Sequence, residues 1–233
     1  MMKPGKFAML AAAVCAPLAA WAVSTAQQDY TEAARAVPDM ERGAALFIRC
    51  AACHGADAGG SDNGNVPRIA GQYPGVIIRQ LVDYRYDKRV DPLMERVADG
   101  HLLQSAQQIA DVAAFAAALH PQARARTGPG DHVMQGTKIY AARCSSCHGT
   151  SGQGNEEMLV PCLAGQNYAY LLRQLDAAVE GRRPQLAGSH AGYLQDLDQT
   201  AVQGLADALS RMGGGLGAET TARPGRASAP HRP

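Results

Sequence analysis

Apolar positions recur at helical spacing along six stretches of this chain, residues 39–51, 74–87, 105–119, 131–145, 168–180 and 199–211, three in each half. In "IADVAAF" (109–115) the spacing is three and four residues, which puts Ile109, Val112 and Ala113 on one helical stripe. No stretch reads convincingly as a strand. The segments between helices are rich in glycine and proline, as in "GADAGGSDNGNVP" (55–67). The pattern predicts an all-α protein. "HPQARARTGPGD" (120–131) reads as a connection between two helical units, and the Gly-, Pro- and Ala-rich 213–233 as a disordered tail. The expected division is therefore 27–120, a linker at 121–131, 132–212, and the tail.

The first residues follow a different logic. Lys3 and Lys6 precede the short apolar run "FAMLAAAVCAPLAAWA", which ends in small residues. That is the layout of a secretory signal peptide over 1–26, with cleavage after Ala22 or Ala26. The run is short for a bilayer span, and nothing later approaches spanning length. The mature protein is expected in the periplasm, without a stable membrane span. Cys15 sits in this run, and the "AAV" that follows Met9–Leu10–Ala11 is a poor lipid-attachment context. The 22 Lys and Arg balance 21 Asp and Glu, which gives no electrostatic pull toward nucleic acid. Aromatic residues make up only 5% of the chain, thin material for two cores, and this invites another source of buried apolar surface.

Five cysteines remain outside the leader. Four of them form "CAACHG" (50–55) and "CSSCHG" (144–149). Cys-x-x-Cys-His is the attachment signature of c-type haem: two thiols add across the two vinyl groups, and the adjacent histidine is placed to bind the iron. The candidates are Cys50, Cys53 and His54 for one haem c, and Cys144, Cys147 and His148 for a second. A zinc ribbon would bring its cysteine pairs within about 15–20 residues, and a redox dithiol would be expected near a βαβ pattern. Neither is found. The likeness between halves extends further. "VPRIAGQ" (66–72) answers "VPCLAGQ" (160–166), and "RQL" (79–81) answers "RQL" (173–175), each at the offset of 94 that separates Cys50 from Cys144. "GAALF" (43–47) answers "GTKIY" (136–140), and "IADVAAF" answers "LADALSR" (205–211), there at an offset of 96. The chain is an internal duplication.

Two CxxCH motifs, two Pro-x-[Ile/Leu]-Ala-Gly-Gln motifs and two terminal helices, over residues 39 to 212, resemble the dihaem cytochrome c4 family. The resemblance implies two tandem class I cytochrome c domains, each wrapped around one covalently attached haem and packed against the other. It implies that the carbonyls of Pro67 and Pro161 bond the proximal histidines; a plain loop-breaking role is the alternative. It also implies a distal ligand, usually methionine, before each last helix. Met94 fills that place in the first half, 15 residues before Ile109, with His101 a weaker rival. In the second half the repeat carries the same position to His190. Met158 and Met212 are badly placed, and Gly188 cannot ligate. The expectation is a His/Met first haem and a His/His second haem of lower potential. The alternative leaves His190 a solvated loop residue.

The function implied is electron transfer rather than enzymatic turnover. Single electrons would pass from a donor such as a quinol–cytochrome c reductase or a dehydrogenase to an acceptor such as a terminal oxidase, entering at the C-terminal haem. The alternatives are the cytochrome subunit of a flavocytochrome sulfide dehydrogenase, or a dihaem thiosulfate dehydrogenase or peroxidase acting at haem 2. Cys162 stands where the first half has Arg68, and reads as a small buried hydrophobe, against a redox-active thiol or a contact to a sulfur substrate. "RYDKR" (85–89) and "GRR" (181–183) are candidates for haem propionates or a partner's acidic patch, against solvated helix ends.

Overall fold

A computed structural model describes residues 18–121 and 125–213. Most of the expected leader and the 214–233 part of the tail lie outside the described residues. Among the described residues ten helices follow one another: α1 Leu18–Arg35, α2 Met40–His54, α3 Pro74–Arg85, α4 Pro92–Ala98, α5 Ala106–Ala118, α6 Val133–Arg143, α7 Ser145–His148, α8 Tyr168–Val179, α9 Pro184–Leu194 and α10 Gln199–Arg211. The one β-type pairing among the described residues is an isolated antiparallel bridge, Asn155 with Val160.

The six helices expected from periodicity are present, and α1, α4, α7 and α9 are additional. Each end signal is physical. Asp39, Ser105 and Asp198 cap α2, α5 and α10 by accepting from the backbone N–H of Arg42, Gln108 and Ala201. Asp91 caps α4, accepting from Leu93 and Met94, with Pro92 at the first helical position.

Each half is built on a crossing of its first and last repeated helix, α2 on α5 and α6 on α10. Backbone meets backbone there. A Cβ added to Gly43 would stand 2.4 Å from the carbonyl oxygen of Asp111, and one on Gly136 only 1.9 Å from that of Gly204. Only glycine permits such an approach. Around the first crossing Phe47 packs on Phe115, ring centres 5.5 Å apart, beside Ile109, Val112 and Leu81. Around the second, Tyr140, Leu205, Leu209, Val202 and Leu171 form a smaller cluster.

The halves differ in one register detail. Phe47 lies three positions before Cys50, whereas Tyr140 lies four before Cys144. The first helix runs unbroken through CxxCH; the second breaks at Cys144, and a separate short α7 carries Cys147 and His148.

Among the described residues helix α1 has no counterpart in the second half. It packs on α3 and α5 through Ala26 and Ala33, through Asp29 bonded to Arg85 (2.7 Å) and Tyr86 (3.1 Å), and through Tyr30 beneath the guanidinium of Arg79 (3.9 Å). Asp29, Tyr30 and Ala33 lie beyond Ala26, so a chain cleaved after that residue keeps the contacts they make. No helix among the described residues is long and apolar enough to cross a membrane.

Candidate cofactor sites and the interface between them

The two CxxCH motifs lie in matched surroundings. His54 and His148 are buried, and Nδ1 of each faces a proline carbonyl, Pro67 at 2.9 Å and Pro161 at 3.1 Å. A carbonyl can only accept, so Nδ1 carries the proton and Nε2 keeps a free lone pair. Burial, the larger influence, pushes both imidazoles below their usual pKa against the opposing pull of the proline carbonyls, so both are neutral near pH 7. A neutral imidazole with Nε2 free is what a metal ligand requires. Cys50, Cys53, Cys144 and Cys147 are free thiols, with Cys53 and Cys147 exposed.

The leading distal candidates, Met94 and His190, lie on the two short helices α4 and α9, which periodicity did not reveal. Met94 is on α4, half-buried against the N-terminal core. His101 is exposed in the turn after α4, its N–H donating to Asp99. His190 is on α9, not in a loop: Pro184 opens a helix that runs through it to Leu194. Its ring centre lies 6.1 Å from that of His148, the rings inclined at 51°. Two imidazoles binding one ion from opposite sides would have centres about 6 Å apart, from metal–nitrogen distances of about 2 Å each. Ser189 Oγ lies 2.7 Å from Nδ1 of His190 and 3.5 Å from the carbonyl of Leu186. A hydroxyl can accept Nδ1–H, and in that tautomer Nε2 is unprotonated and free to bind a metal. Burial, then the positive charge of Arg183, holds His190 neutral as well.

Sequence profiles of the cytochrome c family match residues 40–119 and again 133–212. The chain belongs to the cytochrome c family. It has the tandem arrangement of cytochrome c4. The Pseudomonas aeruginosa cytochrome c4 is 32% identical over 66% of this chain and 77% of its own length. A protein of Stutzerimonas stutzeri described as a thiosulfate dehydrogenase electron acceptor is 31% identical, over 71% of this chain and 80% of its own. The crystal structure of reduced cytochrome c4 from Pseudomonas stutzeri superposes with a TM-score of 0.65 at 27% identity, covering 76% of this chain and all of that one. This cytochrome thus carries two covalently bound haem c groups.

The side chains present fit such groups. Burial leaves Arg183 Nε and both amide atoms of Gln185 without partners, beside the helix that carries His190. Nearby, Arg89 is buried, with Tyr170 (2.7 Å), Gln174 (2.9 Å) and Gln80 as partners. Burial, then the neighbouring Arg89, lowers Arg183 to about 10. Among the described residues neither arginine forms an ion pair. Two enclosed guanidiniums and an unsatisfied amide suit anionic carboxylates, and haem carries two propionates. So Arg89 of "RYDKR" and Arg183 of "GRR" are not solvated helix ends, although Lys88 and Arg182 are exposed.

The resemblance implied that the domains pack together, but sequence reasoning did not name the residues of that interface, and the repeat was the signal that could have found them. Gln166 accepts from Arg68 N–H (2.9 Å) and donates to Arg68 C=O (2.7 Å). Its repeat mate Gln72 accepts from Cys162 N–H (3.0 Å) and donates to Cys162 C=O (3.0 Å). Asn167 donates to Gly59 and Val66 carbonyls, and its mate Tyr73 to that of Gln153. Positions equivalent by sequence contact each other reciprocally, as a pseudo-twofold axis demands. Cys162 is buried in this interface; burial raises its thiol pKa, so it is a protonated, enclosed thiol. The expected linker is laid down in the same region: Arg126 N–H donates to Asn167 Oδ1, Arg126 C=O accepts from Tyr168 N–H, and Gly128 and Gly130 donate to Asp207.

Proposed function

We propose that this protein is a periplasmic single-electron carrier whose two haem sites are unequal, His54 with Met94 in the N-terminal domain and His148 with His190 in the C-terminal one. Bound haem supplies a reversible one-electron iron couple. What the chain contributes is its ligands and their surroundings. A thioether ligand raises the potential relative to an imidazole, so the C-terminal site is the lower of the two. Electrons are accepted on that side and delivered from the N-terminal side. The observation that carries the reading is the 6.1 Å separation of the His148 and His190 rings. Periplasmic location is supported by the leader-like first residues and by covalent haem attachment.

The donor class is a dehydrogenase or quinol–cytochrome c reductase, and the acceptor class a terminal oxidase. The likeness to a thiosulfate dehydrogenase electron acceptor favours a specific form of this reading, in which a sulfur-oxidising dehydrogenase is the donor. A thiosulfate dehydrogenase or peroxidase acting at the second haem is disfavoured, because His190 faces His148 where a substrate would need an open position.

The test is a redox titration of the holoprotein with its absorption near 695 nm, where methionine ligation gives a weak band and bis-histidine ligation none. The expected result is two separated potentials and band intensity for one haem. His190→Met is expected to double the band and raise the lower potential. Two equal high potentials in the unaltered protein, or ready binding of carbon monoxide by its reduced form, would overturn the proposal.

A further inference from the structure

The peptide unit that supports each proximal histidine is also held by the opposite domain. Pro67 C=O accepts from His54 Nδ1–H, and the N–H on the other side of that same amide, Arg68 N–H, donates to Gln166 Oε1 at 2.9 Å. The second site repeats this. Pro161 C=O faces His148, and Cys162 N–H donates to Gln72 Oε1 at 3.0 Å. In both cases the glutamine amide also donates to the carbonyl of the following residue, at 2.7 and 3.0 Å, which fixes its orientation. Each Oε1 further accepts from the next backbone N–H of its own domain, Asn167 at 2.8 Å and Tyr73 at 3.1 Å. Gln166 and Asn167 are buried, so water competes little for the bonds of Gln166, while Gln72 is half-buried.

We infer that Gln166 tunes the N-terminal haem and Gln72 the C-terminal haem, each as a positioning residue acting across the domain interface. An amide whose N–H is hydrogen-bonded has a more negative carbonyl oxygen, and bonds in such a chain strengthen one another by about 10–30% each. A stronger acceptor at Pro67 or Pro161 draws the Nδ1 proton of its histidine and makes Nε2 a more basic ligand. A more basic ligand favours ferric iron and lowers the potential. The order of the links is glutamine, proline peptide, histidine, iron, and the first link lies in the other domain. Domain docking is thereby part of what sets each potential. The inference rests on His54 and His148 being iron ligands.

The experiment uses the full holoprotein with Gln166→Met and Gln72→Met, which keep side-chain length but cannot hydrogen-bond. Each haem is followed separately through its hyperfine-shifted methyl resonances during reductive titration. The expected pattern is crosswise. Gln166→Met shifts the N-terminal haem upward and leaves the other unchanged, and Gln72→Met does the reverse. As a second readout, the Nδ1 proton of the opposite domain's proximal histidine exchanges faster with solvent. Gln166→Asn, too short to span the gap, serves should the methionine variant fold poorly, and shifts the same haem in the same direction. Shifts confined to the glutamine's own domain, equal shifts at both haems in both variants, or no shift with unchanged proton exchange would each overturn the inference. Absence of a bonded Nδ1 proton in the unaltered protein would instead overturn the histidine ligation beneath it.

Discussion

Asp111 and Asp207 show how a single side chain can secure a domain. They are repeat mates, fully or almost fully buried, on the inner faces of α5 and α10. Asp111 accepts from Asp39 N–H (2.8 Å), from Gln107 (2.8 Å) and from Arg42, tying the start of α2 to the middle of α5. Asp207 does the same for 128–130 with α10. Burial pushes the Asp111 carboxyl up, but the bonds from Arg42, Asp39 and Gln107 together outweigh it and hold the group below its usual pKa. A depressed carboxylate contributes stability that is complete above the usual carboxylate range, near pH 4, and is lost as pH falls through the lowered value. Asp111→Asn is therefore expected to melt earlier than the unaltered protein at pH 7, with the gap closing as both are acidified. Thermal unfolding followed between neutral and acid pH checks this, and a gap independent of pH would contradict it. The haem-attachment residues were legible because CxxCH is a covalent requirement of fixed spacing. The buried aspartates were visible only as repeated letters inside "IAD" and "LAD", with nothing local to say they face inward.

At the scale of elements, the long amphipathic helices could be read from the chain and the short ones could not. α2, α5 and α10 bury a continuous stripe, so their period survives in the sequence. α4 has seven residues and carries its signal in caps rather than periodicity, in the Asp91–Pro92 start. α9, rich in Ala and Gly, shows no clear polar face, so the helix that carries His190 leaves no period in the sequence. The glycine-led stripes "GAALF" and "GTKIY" were noticed as a repeat, but the reason for the glycine is tertiary. Since a Cβ at Gly136 would meet Gly204 O at 1.9 Å, α6 and α10 must separate to admit it. Gly136→Ala is expected to destabilise the C-terminal domain by about 3 kcal/mol, the upper end for overpacking a close contact. Gly43→Ala, at 2.4 Å from Asp111 O, should cost somewhat less. Denaturant melts monitored at each haem would show the loss in the altered domain first.

The whole molecule is two copies of one unit joined face to face, and the joint carries much of the buried polar chemistry. Asn167, buried, spans it, donating to Gly59 O (3.4 Å) and Val66 O (3.3 Å) while accepting from Arg126 N–H (3.0 Å). Asn167→Ala leaves those groups unpartnered at long, individually weak bonds, an expected loss of about 2 kcal/mol. For a chain of this size that corresponds to a fall in Tm of about 4–8 °C. The haem spectra should stay unchanged, because no proximal histidine is touched; an unaltered Tm would show that the joint does not need it. By itself the sequence determined the helical class, the duplication, the two haem-attachment motifs and the family, since covalent chemistry and helical period are local properties. Only the tertiary structure decided that His190 faces His148, that Arg89 and Arg183 are enclosed together, and that the glutamine of each AGQ motif serves the other domain. Those facts depend on which residues meet across a pseudo-twofold axis, and a one-dimensional repeat says which positions are equivalent without saying which are in contact.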